Sequence, residues 1–466
     1  MGNWFRAFVI GAAAALTSLP AQAETLTDAL ISAYRNSNLL EQNQAVLRAA
    51  DEDVAIAVSS LRPVVSYVVS AGTSWTKRTT DFSTTEFDSL STSIALSVDF
   101  VLFDFGRNSL AVEMAKEAVL ATRQALVSVE QQVLLAAVSA YVDVQLKQEI
   151  VALRQSNVRL ITSELGAARD RFDVGEITRT DVSIAEAALA AARSGLAAAE
   201  GELLVAREAY KAAIGHYPSN LAALPAAPAI GKSLDEARKV AVRGHPSILR
   251  AQHEVVIAER QVALASANMK PSIGLSGQIG NSTADSSIAG NDTASLNAQL
   301  GLSMSQTLYA GGRLSSLYRK ALAGQEGARA ALKQTVLLVE QGVGNAWSAL
   351  IVYTASIEAS RQQIAAAQAA FDGVREEASL GARTTLDVLD AEQDLLDARA
   401  SRLEAEAGRY VAVYQVLSSM GLLTVEHLNL GIPTYDPEAY YNAVKSAPPT
   451  SVQGKKLDRI LKKVTE

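Results

Sequence analysis

The sequence predicts an α+β membrane protein built from two copies of one unit, with bilayer-length strands set between very long helices. Three observations predict it. The 466-residue chain repeats its own pattern of Gly, Pro and Asp at a spacing of just over 200 residues. Its helical stretches carry apolar residues every seven positions. Between them lie segments that alternate apolar and polar residues over about ten positions, the length of a tilted strand crossing a bilayer.

Length alone would allow about three globular domains at about 150 residues each, but the composition does not fit them. Apolar residues make up 49% of the chain, aromatic residues only 5%, and there is no cysteine. Alanine carries much of the apolar share, and it fills helices without filling a bulky core. Disulfide frameworks, thiolate metal sites and cysteine nucleophiles are excluded. The net charge of −7 argues against nucleic acid as the main partner. No run of about 20 apolar residues follows the N-terminus, so no membrane-spanning helix is expected.

Residues 1–23 read as a secretory signal peptide: Arg6, then the alanine-rich stretch Ala7 to Leu19, then the small-x-small site Ala21-Gln22-Ala23. The mature chain begins near Glu24 and leaves the cytoplasm. The first repeat covers 24–232. Its Leu26, Ala29, Ala33 and Pro63 match Leu234, Ala237, Ala241 and Pro271 of the second repeat, 233–421, at an offset of 208. Further on the offset is 206: Gly106, Arg107 and Ser109 match Gly312, Arg313 and Ser315. Gly175, Thr178, Asp181, Val182, Ala185 and Glu186 match Gly381, Thr384, Asp387, Val388, Ala391 and Glu392.

Within each repeat the elements follow one order. Helical stretches at 26–62 and 234–270 end at Pro63 and Pro271, because proline cannot continue a helix. Strands are expected at about 64–104 and 272–310. In the first, Ile94, Leu96, Val98, Phe100 and Leu102 alternate with Ser93, Ala95, Ser97, Asp99 and Val101; in the second, Leu296, Ala298, Leu300, Leu302 and Met304 alternate with polar or small residues. Preceding strands at about 64–76 and 272–280 complete two hairpins, with polar loops at Asp81–Ser91 and Asn281–Asp292. Long helical hairpins follow at about 107–215, with a tip near 175, and about 313–421, with a tip near 381. The arm from Gly106 to Gly175 is about 100 Å long at 1.5 Å per residue. Leu189, Leu196, Leu203 and Tyr210 recur every seven residues, as do Leu389, Leu396, Leu403 and Tyr410, so these helices supercoil. Residues 422–466 form a C-terminal segment.

Heptads alone would also fit a filament, and alternation alone a half-buried soluble sheet. However, four strands cannot close a barrel, and a membrane sheet with free edges is not tolerated. If these strands span, several chains share one barrel. The histidines His216, His245, His253 and His427 are scattered, and no nucleophile motif, phosphate loop, cofactor site or metal-ligand spacing appears.

The repeated Leu-x-x-Ala entries, the pre-strand prolines, the exits Phe105-Gly106-Arg107 and Gly311-Gly312-Arg313, and two tips carry a resemblance. The tips read Val174-Gly175-Glu176-Ile177-Thr178-Arg179-Thr180-Asp181-Val182 and Leu380-Gly381-Ala382-Arg383-Thr384-Thr385-Leu386-Asp387-Val388-Leu389-Asp390-Ala391. Over about 26–425 the chain resembles the TolC family of bacterial outer-membrane channel-tunnel proteins. Tyr435-Asp436-Pro437 and the basic end Lys455–Lys463 are similar to the members that serve type I secretion and multidrug efflux.

The resemblance implies a homotrimer whose twelve strands form one barrel in the outer-membrane lipid, continuous with a periplasmic α-helical coiled-coil barrel. It implies an exit duct without enzyme activity or cofactor. A periplasmic adaptor (a membrane fusion protein) opens it, and an inner-membrane RND pump or ABC exporter supplies the energy. Asp387 and Asp390, three residues apart and on one helix face, match the entrance constriction, where three chains would set six carboxylates that favour cations. Arg383 and Asp181 match residues that latch neighbouring tip helices; Ala378 stands where an aromatic latch residue is familiar. Val174, Gly175, Thr178, Leu380, Gly381 and Thr384 match the adaptor-docking tips. The two copies differ here, since Arg383 and Asp390 stand opposite Ile177 and Ile184. The alternative is a periplasmic coiled-coil structural or adhesive protein without a channel.

Overall fold

The computed structural model describes residues 23–287, 292–446 and 459. The expected leader, apart from Ala23, and the basic end, apart from Arg459, lie outside the described residues. The elements are α1 (Leu26–Asn36), α2 (Asn38–Ser59), β1 (Val64–Thr80), β2 (Ser83–Phe103), α3 (Arg107–Asp173) and α4 (Arg179–Ile214), followed by α5 (Leu234–Gly244), α6 (Pro246–Ala267), β3 (Ser272–Ser286), β4 (Thr293–Ser305), α7 (Arg313–Ser379), α8 (Thr385–Ser419) and α9 (Pro437–Val444).

The helical stretches expected at 26–62 and 234–270 are each two helices. α1 starts in a capping box, the Thr25 hydroxyl accepting from the Asp28 amide while the Asp28 carboxylate accepts from the Thr25 amide. It ends where Ser37 turns extended. His245 is extended as well, because Pro246 follows it and crowds its helical conformation; Pro246 then opens α6 at a position that needs no N–H donor.

Two loop expectations are corrected. Asp81–Ser91 is almost entirely strand: only Asp81 and Phe82 form the turn, and β2 begins at Ser83. The serines and threonines there are not loop formers but rungs, as the Ser74–Ser89 hydroxyl pair shows at 2.8 Å. β3 likewise runs on to Ser286, well past the expected end.

The long helices are more apolar overall than the lack of a continuous apolar run suggests. α3, α4 and α7 are each long and apolar enough, by length and composition alone, to cross a membrane. Dispersed alanine is the reason: it raises overall apolarity without any continuous run of large apolar side chains.

The chain divides into two compact units. One contains residues 43–126, 246–336 and those from 435 onward. Its centre is an antiparallel sheet in the order β1-β2-β3-β4, so among the described residues β1 and β4 each keep one unpaired edge. Register sorts the central side chains into a mainly apolar face, which includes Asn281, and a mainly hydroxyl and amide face, which includes Asp99. On one face Tyr67, Leu96, Ile279 and Ala298 lie in one row and Val69, Ile94, Asn281 and Leu296 in another. On the other face the rows are Ser66, Ser97, Gln278, Gln299 and Ser70, Ser93, Ser282, Ser295. Hydroxyl pairs join that polar face, at 2.7 Å for Ser66–Ser97 and Ser70–Ser93 and 2.8 Å for Ser282–Ser295. At the exit into α3, Phe105 and Gly106 take positive φ, and the Asp104 carboxylate accepts from the Gly106 and Asn108 amides at 2.9 Å. The Arg107 guanidinium donates to the carbonyls of Lys270 and Pro271, tying this bend to the start of β3.

In the same unit Leu47, Val54 and Val119 form a small core with Tyr435 and Tyr441 against it. The segment at α9 is held by Tyr440 donating to Glu52 at 2.7 Å and by Arg123 reaching Glu438 at 3.4 Å.

The other unit contains residues up to 42, 127–245 and 337–434. Tyr141 and Tyr210 are fully buried, with ring centroids 6.4 Å apart. The Tyr141 hydroxyl is shared between the carbonyls of Ala222 and Glu24, at 2.7 and 2.9 Å. Glu24 is pinned there by a parallel bridge to Leu221.

Candidate functional site

The hairpin tips are built by two identical pieces of local chemistry. Gly175 ends α3 with φ +80° and Gly381 ends α7 with φ +78°, a left-handed conformation that glycine adopts without a Cβ penalty. The Gly175 amide donates to Phe172 O and the Glu176 amide to Arg171 O; Gly381 and Ala382 repeat this with Ala378 and Glu377. These two bonds close the helix ends in a Schellman motif.

The returning helices start in capping boxes. The Thr178 amide and hydroxyl donate to Asp181 Oδ2 at 2.9 and 2.7 Å. The Thr384 amide and hydroxyl donate to Asp387 Oδ2 at 2.9 and 2.8 Å. These bonds hold both carboxyls below the usual carboxylate range, the Thr178 hydroxyl leading for Asp181 and the Thr384 amide for Asp387.

The residues singled out by sequence are therefore placed as follows. Thr178 and Thr384 are helix caps and Gly175 and Gly381 are turn residues. Val174 and Leu380 stand at the two tips, 72% and 78% exposed. Asp387 and Asp390 both lie in the first two turns of α8, Asp387 half-buried in its cap and Asp390 exposed. Arg383 and Asp181 are not in contact within the chain: Arg383 Nε lies 2.8 Å from Glu377 Oε2, while Asp181 is occupied by Thr178.

Two residues that the sequence did not single out join the hairpins to each other. Arg171 on α3 donates from Nη2 to Ala378 O on α7 at 2.8 Å and lies 3.4 Å from Glu176. Ala378 itself is buried. Beside this tie is a cleft of about 410 Å³ lined by Glu164, Arg171, Glu176, Arg375 and Ala378 among others. Further along α8, Glu392 is buried and accepts from Asn157 Nδ2 of α3 at 2.8 Å. Neither carried a signal, because an arginine or glutamate in a charged heptad stretch reads as a solvated face until its neighbours are known.

The model of the outer membrane efflux protein family matches residues 29–216 and again 238–422. The chain belongs to the outer membrane efflux protein family. Among its relatives, the outer membrane efflux protein BepC of Brucella suis is 37% identical over 433 residues, 92% of each chain. The outer membrane protein TolC of Vibrio cholerae is 26% identical, over 91% of this chain and 97% of its own. The crystal structure of the outer membrane protein VceC from Vibrio cholerae has the same fold, with a TM-score of 0.71 at 20% identity over 85% of this chain and 96% of its own.

Membership of this outer membrane efflux protein family locates the protein in the bacterial outer membrane, with its helical part in the periplasm. It is an efflux channel protein and not an enzyme. The apolar length of α3, α4 and α7 thus serves helix–helix packing rather than membrane crossing, and the buried Ala185, Ala199 and Ala206 of α4 lie on such seams.

Proposed function

We propose that three copies of this chain close one twelve-stranded barrel in the outer membrane and continue it as a helical barrel into the periplasm. The duct carries drugs, secreted proteins, or both. The observation that carries this is the sheet. It has two open edges, an apolar face of Tyr67, Leu96 and Ile279, and a hydroxyl and amide face of Ser66, Ser97 and Gln278. A bilayer requires the edges to be paired and the apolar face to meet lipid, which leaves the hydroxyl face to line water.

The domains follow that reading. A leader at 1–23 is removed, the repeats 24–232 and 233–421 descend from one duplicated unit, and 422–466 decorates the helical barrel. The order of elements from α1 to α4, repeated from α5 to α8, and the double match of the family model support the duplication.

At the tips, Asp387 and Asp390 from three copies form the cation-favouring entrance. Val174, Gly175, Thr178, Leu380, Gly381 and Thr384 receive the periplasmic adaptor, which opens the duct for an inner-membrane RND pump or ABC exporter. Arg383 latches to Asp181 of a neighbouring copy by exchanging its Glu377 partner; Asp181 Oδ1 is left for it by the cap. The exposed Val174 and Leu380 side chains support the docking role.

Purified protein in planar bilayers tests the duct. Heat-modifiable trimers with single-channel conductance are the expected result. A soluble periplasmic rod without conductance would replace the reading with a coiled-coil structural protein.

A further inference from the structure

Glu392 on α8 and Glu186 on α4 occupy matching positions 206 residues apart, yet they meet opposite surroundings. Glu186 is exposed and pairs with Arg169 at 2.7 Å. Glu392 is 4% exposed. Its Oε1 accepts from Asn157 Nδ2, and Asn157 is itself only 6% exposed. Its Oε2 meets no hydrogen-bond donor among the described residues.

The charged groups that face it are Glu164 from α3 and Arg375 from α7. These two pair with each other at 3.4 Å, so Arg375 is already engaged. From α4, Val182, Ala185 and Leu189 pack here against Leu389, with Ile184, Ala188 and Ala192 beside them. Val388 and Leu395 flank Glu392 on its own helix. A carboxylate in such a place has one donor where it needs several, whereas a protonated acid keeps the Asn157 bond and carries no buried charge.

We propose that Glu392 is a proton-operated clasp between the two hairpins: with its proton it holds α8 to α3, and without it the two helices loosen two turns above the second tip. Burial pushes the carboxyl up to about 7, reinforced by Glu164 and opposed by Asn157 and Arg375. Hairpins that part return Glu392 to water and to its ordinary value of 4.5. The packed form therefore binds the proton more tightly. Packing is fully favoured below the ordinary value, weakens as the pH rises toward 7, and changes no further above it. That the loosening reaches a pore rests on the exit-duct reading; the clasp does not.

Hydrogen exchange of the detergent-solubilised full chain tests it, read on the amides of residues 385–396 and compared at each pH between wild type and Glu392→Gln. The variant keeps the size of the side chain and stays neutral. At pH 5 the two should exchange within a few fold of each other; at pH 7.5 wild type should exchange on the order of tenfold faster or more. Asn157→Ala removes the one donor that favours the ionised form, so it should move the midpoint to higher pH. Glu186→Gln should leave the profile as in wild type. Equal exchange of wild type and Glu392→Gln at pH 7.5, or one ratio at both pH values, overturns the clasp. Absence of conductance from wild type and every variant alike, with the exchange difference intact, would count against the exit duct and leave the clasp standing.

Discussion

Asp387 does two things with one carboxylate: Oδ2 caps α8 through Thr384, and its charge remains at the tip beside the exposed Asp390. The bonds to Thr384 depress its titration below the ordinary 3.8, so the cap's contribution is present above that value and fades as the pH falls through the lowered one. Replacing Asp387 and Asp390 together with Asn removes six formal charges per trimer. Cation preference should fall and block by trivalent cations should weaken; unchanged selectivity would remove both residues from the entrance. Arg383→Ala and Asp181→Ala should each raise basal conductance while assembly stays intact, with less than additive opening in the double variant. A surface ion pair is worth about 0–1 kcal/mol, so the effect is modest. Equal conductance in wild type and both variants refutes the latch. The Asp387–Asp390 spacing was legible because three residues along a helix share a face. Arg171 and Glu392 were not, since Glu186 and Glu392 are the same residue at matching positions and only the packing of α3 against α8 separates them.

At the scale of elements, period two was read correctly in the central strands, and proline correctly marked the approach to each hairpin of the sheet. The hairpin lengths were not legible. Ser83 to Ser91 looks like a loop by composition, whereas hydroxyls of Ser83, Thr84 and Ser89 pair with Thr80, Thr79 and Ser74 across β1 and β2. The hinges at Ser37 and His245 were missed for a related reason: each is a single extended residue inside a stretch that otherwise reads as helix. The two faces of the sheet give a direct test. Ile94→Lys places a charge on the apolar face, at a cost of about 2–4 kcal/mol near the bilayer midplane, and should lower the temperature at which trimers dissociate. Ser93→Lys, one residue away, faces the hydroxyl side and should leave that temperature unchanged while altering conductance. The opposite pattern would invert the assignment of lipid and water. The caps are testable in the same spirit: Thr384→Ala should cost about 1 kcal/mol and speed amide exchange in the first turn of α8.

For the whole molecule, the decisive fact is that β1 and β4 are open on one side each. Pairing β4 of one copy with β1 of the next is a head-to-tail contact, and such contacts close into a ring only at a fixed number of copies. Two copies would give eight strands, a barrel whose interior side chains fill the space. That is incompatible with a face of serine, glutamine and asparagine that needs water. Three copies give twelve strands and leave a lumen, and the rows of Ser66, Ser97, Gln278 and Gln299 then present no charge to whatever passes. Asp99, two residues from Ser97 on the same face, adds one carboxylate per copy to the charges proposed at the tips. The absence of cysteine from the chain makes assembly easy to read, because every cross-link must come from an introduced pair. A scan of single cysteines along β1 combined with single cysteines along β4 should give a ladder of one, two and three chains in native membranes, ending at three. The three-chain product should be circular, so that reducing one bond leaves a linear trimer of the same mass. A ladder that continues past three would change the copy number. Cross-linking that stops at monomers or dimers at every β1–β4 pair would sink the shared barrel altogether.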